Sequence, residues 1–255
     1  MDRRDFAMTN QIVLITGALA GIGRATAFAF AREGTSLLVS GRKDEAGAAL
    51  VEELTALGVE AEFVKADVRY EADVEALVRR TVERFGRLDV AVNNAGTEGH
   101  AGPLTELSTE DYAATFDTNV LGTLLSLKHE LRVMLAQGSG SIVNLSSTMG
   151  SRGAPNASLY VASKHAVEGL TRSAALEAAA SGVRVNAIAP GPIQTDLLDR
   201  FTGSPERKAA LAASVPMKRI GLPEEIADAI AFVASAKAGF ITGQIIQING
   251  GRTAS

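Results

Sequence analysis

The chain has 255 residues, enough to bury roughly three quarters of its unfolded surface without a disulfide or metal staple. It contains no Cys, which removes disulfides, thiolate metal sites and cysteine nucleophiles together, and its net charge of −4 offers nucleic acid no basic footprint. Trp is absent, aromatics make up 5%, and no apolar run reaches the roughly 20 residues that a membrane helix needs.

Residues 1–10 read as a polar leader. Arg3-Arg4-Asp5-Phe6 has a twin-arginine look, but the apolar stretch behind it, Ile12–Ala20, runs into a glycine turn. The export reading is therefore set aside and a cytoplasmic protein is expected. From there, short apolar runs alternate with longer amphipathic segments. The predicted strands are Gln11–Thr16, Ser36–Ser40, Ala61–Lys65, Leu88–Val92, Ser141–Leu145, Val183–Ala189 and Ile245–Ile248. They are rich in Val, Ile and Leu and mostly apolar on both faces, as strands buried between two helical layers are. The predicted helices are Ile22–Glu33, Asp44–Leu57, Glu71–Phe85, Thr109–Gln137, Ser158–Ala180 and Pro223–Ala234. Ser108 with Asp111 predicts a capping arrangement, Gly34, Gly58 and Gly86 mark helix ends, and Pro223 suits a first turn. No linker or composition break divides the alternation. The expectation is one α/β domain over residues 1–255: a Rossmann-type, doubly wound parallel sheet of seven strands with helices on both faces. Ligands bind such sheets beyond the carboxyl ends of the strands, near the switch in strand order.

After the first strand comes Thr16-Gly17-Ala18-Leu19-Ala20-Gly21-Ile22-Gly23, then a helix. Glycines here let main-chain N–H groups approach a pyrophosphate, and the helix N-terminus adds free donors and partial positive charge. The spacing is Gly-x3-Gly-x-Gly, not that of the general dinucleotide fingerprint, and no Lys follows as a P-loop requires. Taken alone, the run could be any tight strand-to-helix turn. It resembles the cofactor turn of the short-chain dehydrogenase/reductases, of the single-domain kind and of about this length, including members like 3-oxoacyl-carrier-protein reductases and glucose or alcohol dehydrogenases. The likeness continues in register from Gln11 to Gly251.

The resemblance implies a nicotinamide cofactor held by Gly17, Leu19, Gly21, Ile22 and Gly23. At the end of the second strand the run Ser40-Gly41-Arg42-Lys43 has no carboxylate, and Arg42 can meet a 2′-phosphate with a planar fork, so NADP(H) is favoured over NAD(H). Two solvated basic residues opening a helix would look the same. Asp67 and Val68 resemble the adenine-contacting pair of the family, with a helix cap as the alternative for Asp67. Asn93-Asn94-Ala95-Gly96 resembles the family's NNAG element, in which Asn94, Ala95 and Gly96 lie against the cofactor.

Tyr160 and Lys164, four apart on a predicted helix, share one face. A free Tyr with a pKa near ~10 is a poor acid–base group at neutral pH, and a fixed ammonium beside it should lower that value. Such a pair also arises by chance; Ser147, at the family's distance before Tyr160, makes it specific. Ser147 would stabilise charge on a substrate oxygen, and Asn119 resembles the fourth member of the family tetrad, holding backbone and water toward Lys164. A mid-helix Asn bonded to its own backbone is the alternative for Asn119. Pro190-Gly191-Pro192-Ile193-Gln194-Thr195 resembles the PG motif, with Pro190, Gly191, Ile193 and Thr195 against the nicotinamide. Asp196–Pro216 stands where the family has a mobile substrate lid.

The implied activity is interconversion of a secondary alcohol and a ketone by hydride transfer, with Tyr160 as acid–base residue and a small-molecule substrate. One alternative is reduction of a 3-oxoacyl thioester on CoA or a carrier protein, for which Lys128, Arg132 and Arg172 are candidate docking residues. Another, outside enzymes, is a catalytically silent nicotinamide-binding regulator. His100 is read as a loop residue, His165 as facing away from Lys164, and His129-Glu130 lacks the second His of a zinc helix, so no metal is expected. The resemblance also implies a homotetramer or homodimer joined through Thr109–Gln137 and Ser158–Ala180.

Overall fold

A computed structural model describes Met8 and residues 10–254. The Arg3–Phe6 segment and most of the leader lie outside the described residues. Seven strands form one parallel sheet: β1 (Ile12–Thr16), β2 (Ser36–Gly41), β3 (Ala61–Lys65), β4 (Val90–Asn93), β5 (Gly140–Leu145), β6 (Val183–Pro190) and β7 (Ile245–Ile248). The order is β3-β2-β1-β4-β5-β6-β7, with Val13 opposite both Leu37 of β2 and Val90 of β4. The chain therefore turns outward in both directions from the β1/β4 seam, where the carboxyl ends leave a crevice.

The helices are α1 (Gly21–Arg32), α2 (Asp44–Thr55), α3 (Glu71–Phe85), α4 (Thr109–Phe116), α5 (Gly122–Gln137), α6 (Ser158–Ala178), α7 (Asp196–Thr202), α8 (Pro205–Ser214) and α9 (Pro223–Ala234). Successive strand residues feed opposite layers, as the pleat requires. Val13 and Ile15 pack with Phe30 of α1 and Ile226 and Ile230 of α9, while Leu14 packs with Leu77 of α3 and Met134 of α5. Both faces of β1 are consequently buried throughout. The capping box of Ser108 with Asp111 forms, Gly34, Gly58 and Gly86 adopt positive φ, and Pro223 opens α9.

One expectation needs correction. Thr109–Gln137 is not one helix: a π-turn over Asp117–Leu121 separates α4 from α5. An extra residue per turn rotates Asn119 inward, where it is buried. The segment Asp196–Pro216 carries two short helices, α7 and α8. Thr195 caps α7, and Ser204 caps α8 with Pro205 in its first turn.

Candidate active site

Thr16, the last residue of β1, ties the two halves of the crevice together. Its Oγ1 accepts from the backbone N–H groups of Asn94 and Ala95 at 3.1 and 3.2 Å. In return Asn94 Nδ2 donates to the carbonyls of Thr16 and Gly17 at 3.1 and 2.9 Å. The fit leaves no room for side chains: a Cβ on Gly17, whose φ is +64°, would lie 2.8 Å from Ala95 Cα, and one on Gly23 would lie 2.3 Å from the Gly17 carbonyl oxygen. The backbone of the turn thus lies bare against the β4 loop. Leu19 lies over the end of β2, where a Cβ on Gly41 would meet its Cδ1 at 2.5 Å.

A cavity of about 310 Å³ opens beyond this seam. Gly17, Gly21 and Ile22 form one wall, Asn94, Ala95 and Gly96 the floor, and Ser147, Tyr160 and Lys164 the facing wall. Pro190, Gly191, Ile193 and Thr195 line it from β6, and the lid adds Asp196, Leu197, Leu198 and Arg200. Thirteen of the predicted site residues thus meet in one space. Leu19, Gly23, Arg42, Asp67, Val68 and Asn119 lie outside the cavity wall. Gly23 supports the turn from behind, and Val68 packs under Gly122 beside Val74 and Leu125. Arg42 is exposed beyond β2, close enough to Asp67 to help hold that carboxyl down, although the main cause is the Arg69 guanidinium. Asp67 is gripped by Arg69 through both oxygens at 2.6 to 3.1 Å, which is neither a free carboxylate nor a helix cap.

Asn119 does not bond its own helix. Its Oδ1 accepts from Thr97 N–H at 2.8 Å, and its Nδ2 donates to the Thr97 carbonyl at 2.9 Å and to Ser163 Oγ at 3.0 Å. Lys164 is buried; its Nζ donates to the Leu145 carbonyl at 2.7 Å and sits 5.6 Å from the centre of the Tyr160 ring. Burial brings Lys164 down to about 8. The expected lowering at Tyr160 is not what the structure gives. Desolvation pushes its hydroxyl up to about 12, the neighbouring Ser147 hydroxyl acts in the opposite sense, and the Glu98 charge adds to the rise. The arrangement therefore presents a protonated phenol and a serine hydroxyl to the same space, a donor pair suited to a carbonyl oxygen.

Sequence reading missed Thr16, Ser146, Thr97, Glu98 and Arg200. Ser146 Oγ donates to Glu168, itself buried, at 3.0 Å, and this contact holds the turn that carries Ser147. Of the histidines, His100 and His165 are exposed and His129 is buried against Glu71 at 3.2 Å. Among the described residues no cluster of His, Asp or Glu could hold a metal, and no helix is long and apolar enough to cross a membrane.

The switch-point crevice, the bare glycine turn and the Ser147–Tyr160–Lys164 wall define the class: a Rossmann-type oxidoreductase acting between alcohol and carbonyl. The family model described as enoyl-(acyl carrier protein) reductase matches residues 17–253. An A-factor type gamma-butyrolactone 1′-reductase (1S-forming) of Streptomyces virginiae is 44% identical over 99% of both chains. A cyclohexanol dehydrogenase of an Acinetobacter species is 41% identical, covering 96% of this chain and 95% of that one. A 3-oxoacyl-(acyl-carrier-protein) reductase of Staphylococcus aureus is 42% identical over 93% and 96% of the two chains. Among solved structures, levodione reductase superposes with a TM-score of 0.95 at 38% identity, covering 97% of this chain and 99% of that one. Actinorhodin polyketide ketoreductase with NADPH gives 0.92 at 35%, covering 96% and 98%. The chain belongs to the short-chain dehydrogenase/reductase family.

Proposed function

We propose that the protein reduces a compact ketone to a secondary alcohol with NADPH, and runs the reverse oxidation, using Tyr160 as its acid–base residue. The observation that carries this is the single cavity whose facing walls are the bare Gly17–Gly21 turn and the Ser147–Tyr160–Lys164 group. The turn fits a pyrophosphate. Its backbone is too close to Ala95 for any side chain to intervene, and Ala20, at the N-cap of α1, makes no side-chain bond to the helix's first N–H groups. Gly17 to Gly23, with Leu19 and Ile22, would hold the diphosphate, Asn94 to Gly96 and Lys164 a ribose, and Pro190, Gly191, Ile193 and Thr195 the nicotinamide. Asp67 and Val68 would border the adenine, and exposed Arg42 would pair with a 2′-phosphate. The NADPH carried by the polyketide ketoreductase neighbour supports the same preference.

When bound, the nicotinamide supplies the hydride. The chain supplies the rest. Ser147 and Tyr160 address the carbonyl oxygen together, so charge forming there meets donors already in place. Tyr160 then gives up its proton. The grip of Asn119 on both backbone groups of Thr97, together with its bond to Ser163, fixes the floor against the helix that carries Tyr160 and Lys164. With NADPH as reductant, the cytoplasm is the expected setting.

Replacing Tyr160 by Phe should cost at least 100-fold, order of magnitude, in carbonyl turnover while NADPH binding is nearly kept. Full activity in that variant would overturn the assignment. For the thioester alternative, Lys128 is paired with Glu71 and Arg172 with Glu168, while Arg132 is exposed with no ion pair among the described residues. A panel setting acyl thioesters against free ketones separates the two. Tight cofactor binding without any turnover in either direction would favour a regulator. Leu121, Leu124, Leu135 and Leu176 stand exposed on the π-turn, α5 and α6, and support association through these helices. A dimer or tetramer is expected by sedimentation, and a monomer would exclude it.

A further inference from the structure

Glu98 and Arg200 are 102 residues apart in the chain, yet they meet at the mouth of the cavity. Arg200 Nε and Nη2 reach the two carboxylate oxygens at 2.5 and 3.1 Å, a paired fork. The two ends of the contact differ in freedom. Glu98 sits between Thr97, held at both backbone groups by Asn119, and Gly99, which is pressed so closely on α4 that a Cβ would lie 2.3 Å from Thr115 Oγ1. Its side chain is 14% exposed, against 61% for Arg200. Arg200 belongs to the lid helix α7, and Lys208 of α8 reaches the adjacent Asp199 at 2.5 Å, so the two lid helices are joined. Arg200 also lines the cavity together with Ser147 and Tyr160.

We propose that the Glu98–Arg200 pair is a latch that holds the lid on the fixed β4 loop and, by occupying Arg200, selects uncharged ketones over ketones that carry a carboxylate. This rests on the reading of the cavity as the site of ketone reduction. An anionic group entering under the lid must either take Arg200 from Glu98 or lie unpaired near the Glu98 and Asp196 carboxylates. Either way it is disfavoured by repulsion as well as by lost attraction. Lys164, the other cation of the wall, is already engaged with the Leu145 carbonyl. The lid thus reads charge through a residue that its own neighbour keeps occupied.

The test compares wild type with E98Q and with the charge swap E98R/R200E. The first readout is kcat/KM with NADPH for cyclohexanone and for 4-oxocyclohexanecarboxylate. The second is amide hydrogen exchange over residues 196–202 in protein without cofactor. E98Q should raise the carboxylate-to-neutral ratio about tenfold and speed lid exchange several-fold, with exchange in β1 and β4 unchanged as the control for folding. The swap should restore slow exchange and lose the gained preference. An unchanged ratio or unchanged lid exchange in E98Q overturns the proposal. If the wild type reduces no ketone, the reading of the site fails, and lid exchange still decides whether the latch exists.

Discussion

Replacing Glu130 with glutamine tests how a buried carboxyl behind the cavity floor sets stability. Glu130 lies on α5 and is 1% exposed, and its Oε2 accepts from Asn93 Nδ2 at 2.9 Å. Its other oxygen, like Asn93 Oδ1, has no hydrogen-bond partner among the described residues. Burial raises the carboxyl from 4.5 to about 7, with the Asn93 bond pulling weakly the other way. A raised acid in the folded chain keeps a proton that the unfolded chain has released. Its contribution is therefore complete below about 4.5, falls as pH rises, and is gone above about 7. At about 1.4 kcal/mol per tenfold change in proton affinity, the loss is roughly 3 kcal/mol. In a domain of this size that corresponds to roughly 5–10 °C in Tm. Glutamine keeps an acceptor for Asn93 and adds an amide donor, while removing the titration. Calorimetry at pH 5 and pH 8.5 should find E130Q level with or below wild type in acid, and higher by several degrees in base. A Tm difference that does not change with pH would refute the assignment of a neutral, proton-holding Glu130.

Two further predictions concern the site. Because Tyr160 is held up at about 12, it stays protonated across neutral pH, so ketone reduction should be flat from pH 6 to 7, below the range in which Lys164 loses its charge, while alcohol oxidation rises with pH. Matched pH profiles of kcat/KM check this, and an oxidation rate independent of pH would contradict it. Arg42→Ala should raise the NADPH Kd about tenfold and leave NADH nearly unchanged in fluorescence titrations, since only one of them carries the 2′-phosphate. Equal losses for both would show that Arg42 acts through the fold of the turn.

The sheet was legible because its signal is local. All seven strands were found within two residues, since Val, Ile and Leu runs between helical periods have few other readings. The glycine turn and the Ser147–Tyr160–Lys164 spacing were legible for the same reason. The π-turn was not: DTNVL continues a helical pattern, and its consequence, Asn119 reaching Thr97, depends on a contact 22 residues away. The lid helices had visible starts in Thr195 and Ser204-Pro205, but Asp196–Thr202 has 7 residues, too few for a periodicity to stand out. The rise at Tyr160 runs against the lowering expected from Lys164, because sequence shows the neighbouring cation but neither the burial of the hydroxyl nor the Glu98 charge that raise it.

The Thr16–Asn94 tie has a kinetic consequence. Its bonds span 78 or 77 residues, so the complete crevice forms only when β1 and β4 have paired. A ligand that needs both halves should therefore contribute little to the early steps of folding, which close that long loop first. It should act afterwards on the assembled seam, lengthening the life of the native state by mass action while leaving the refolding rate nearly as it was.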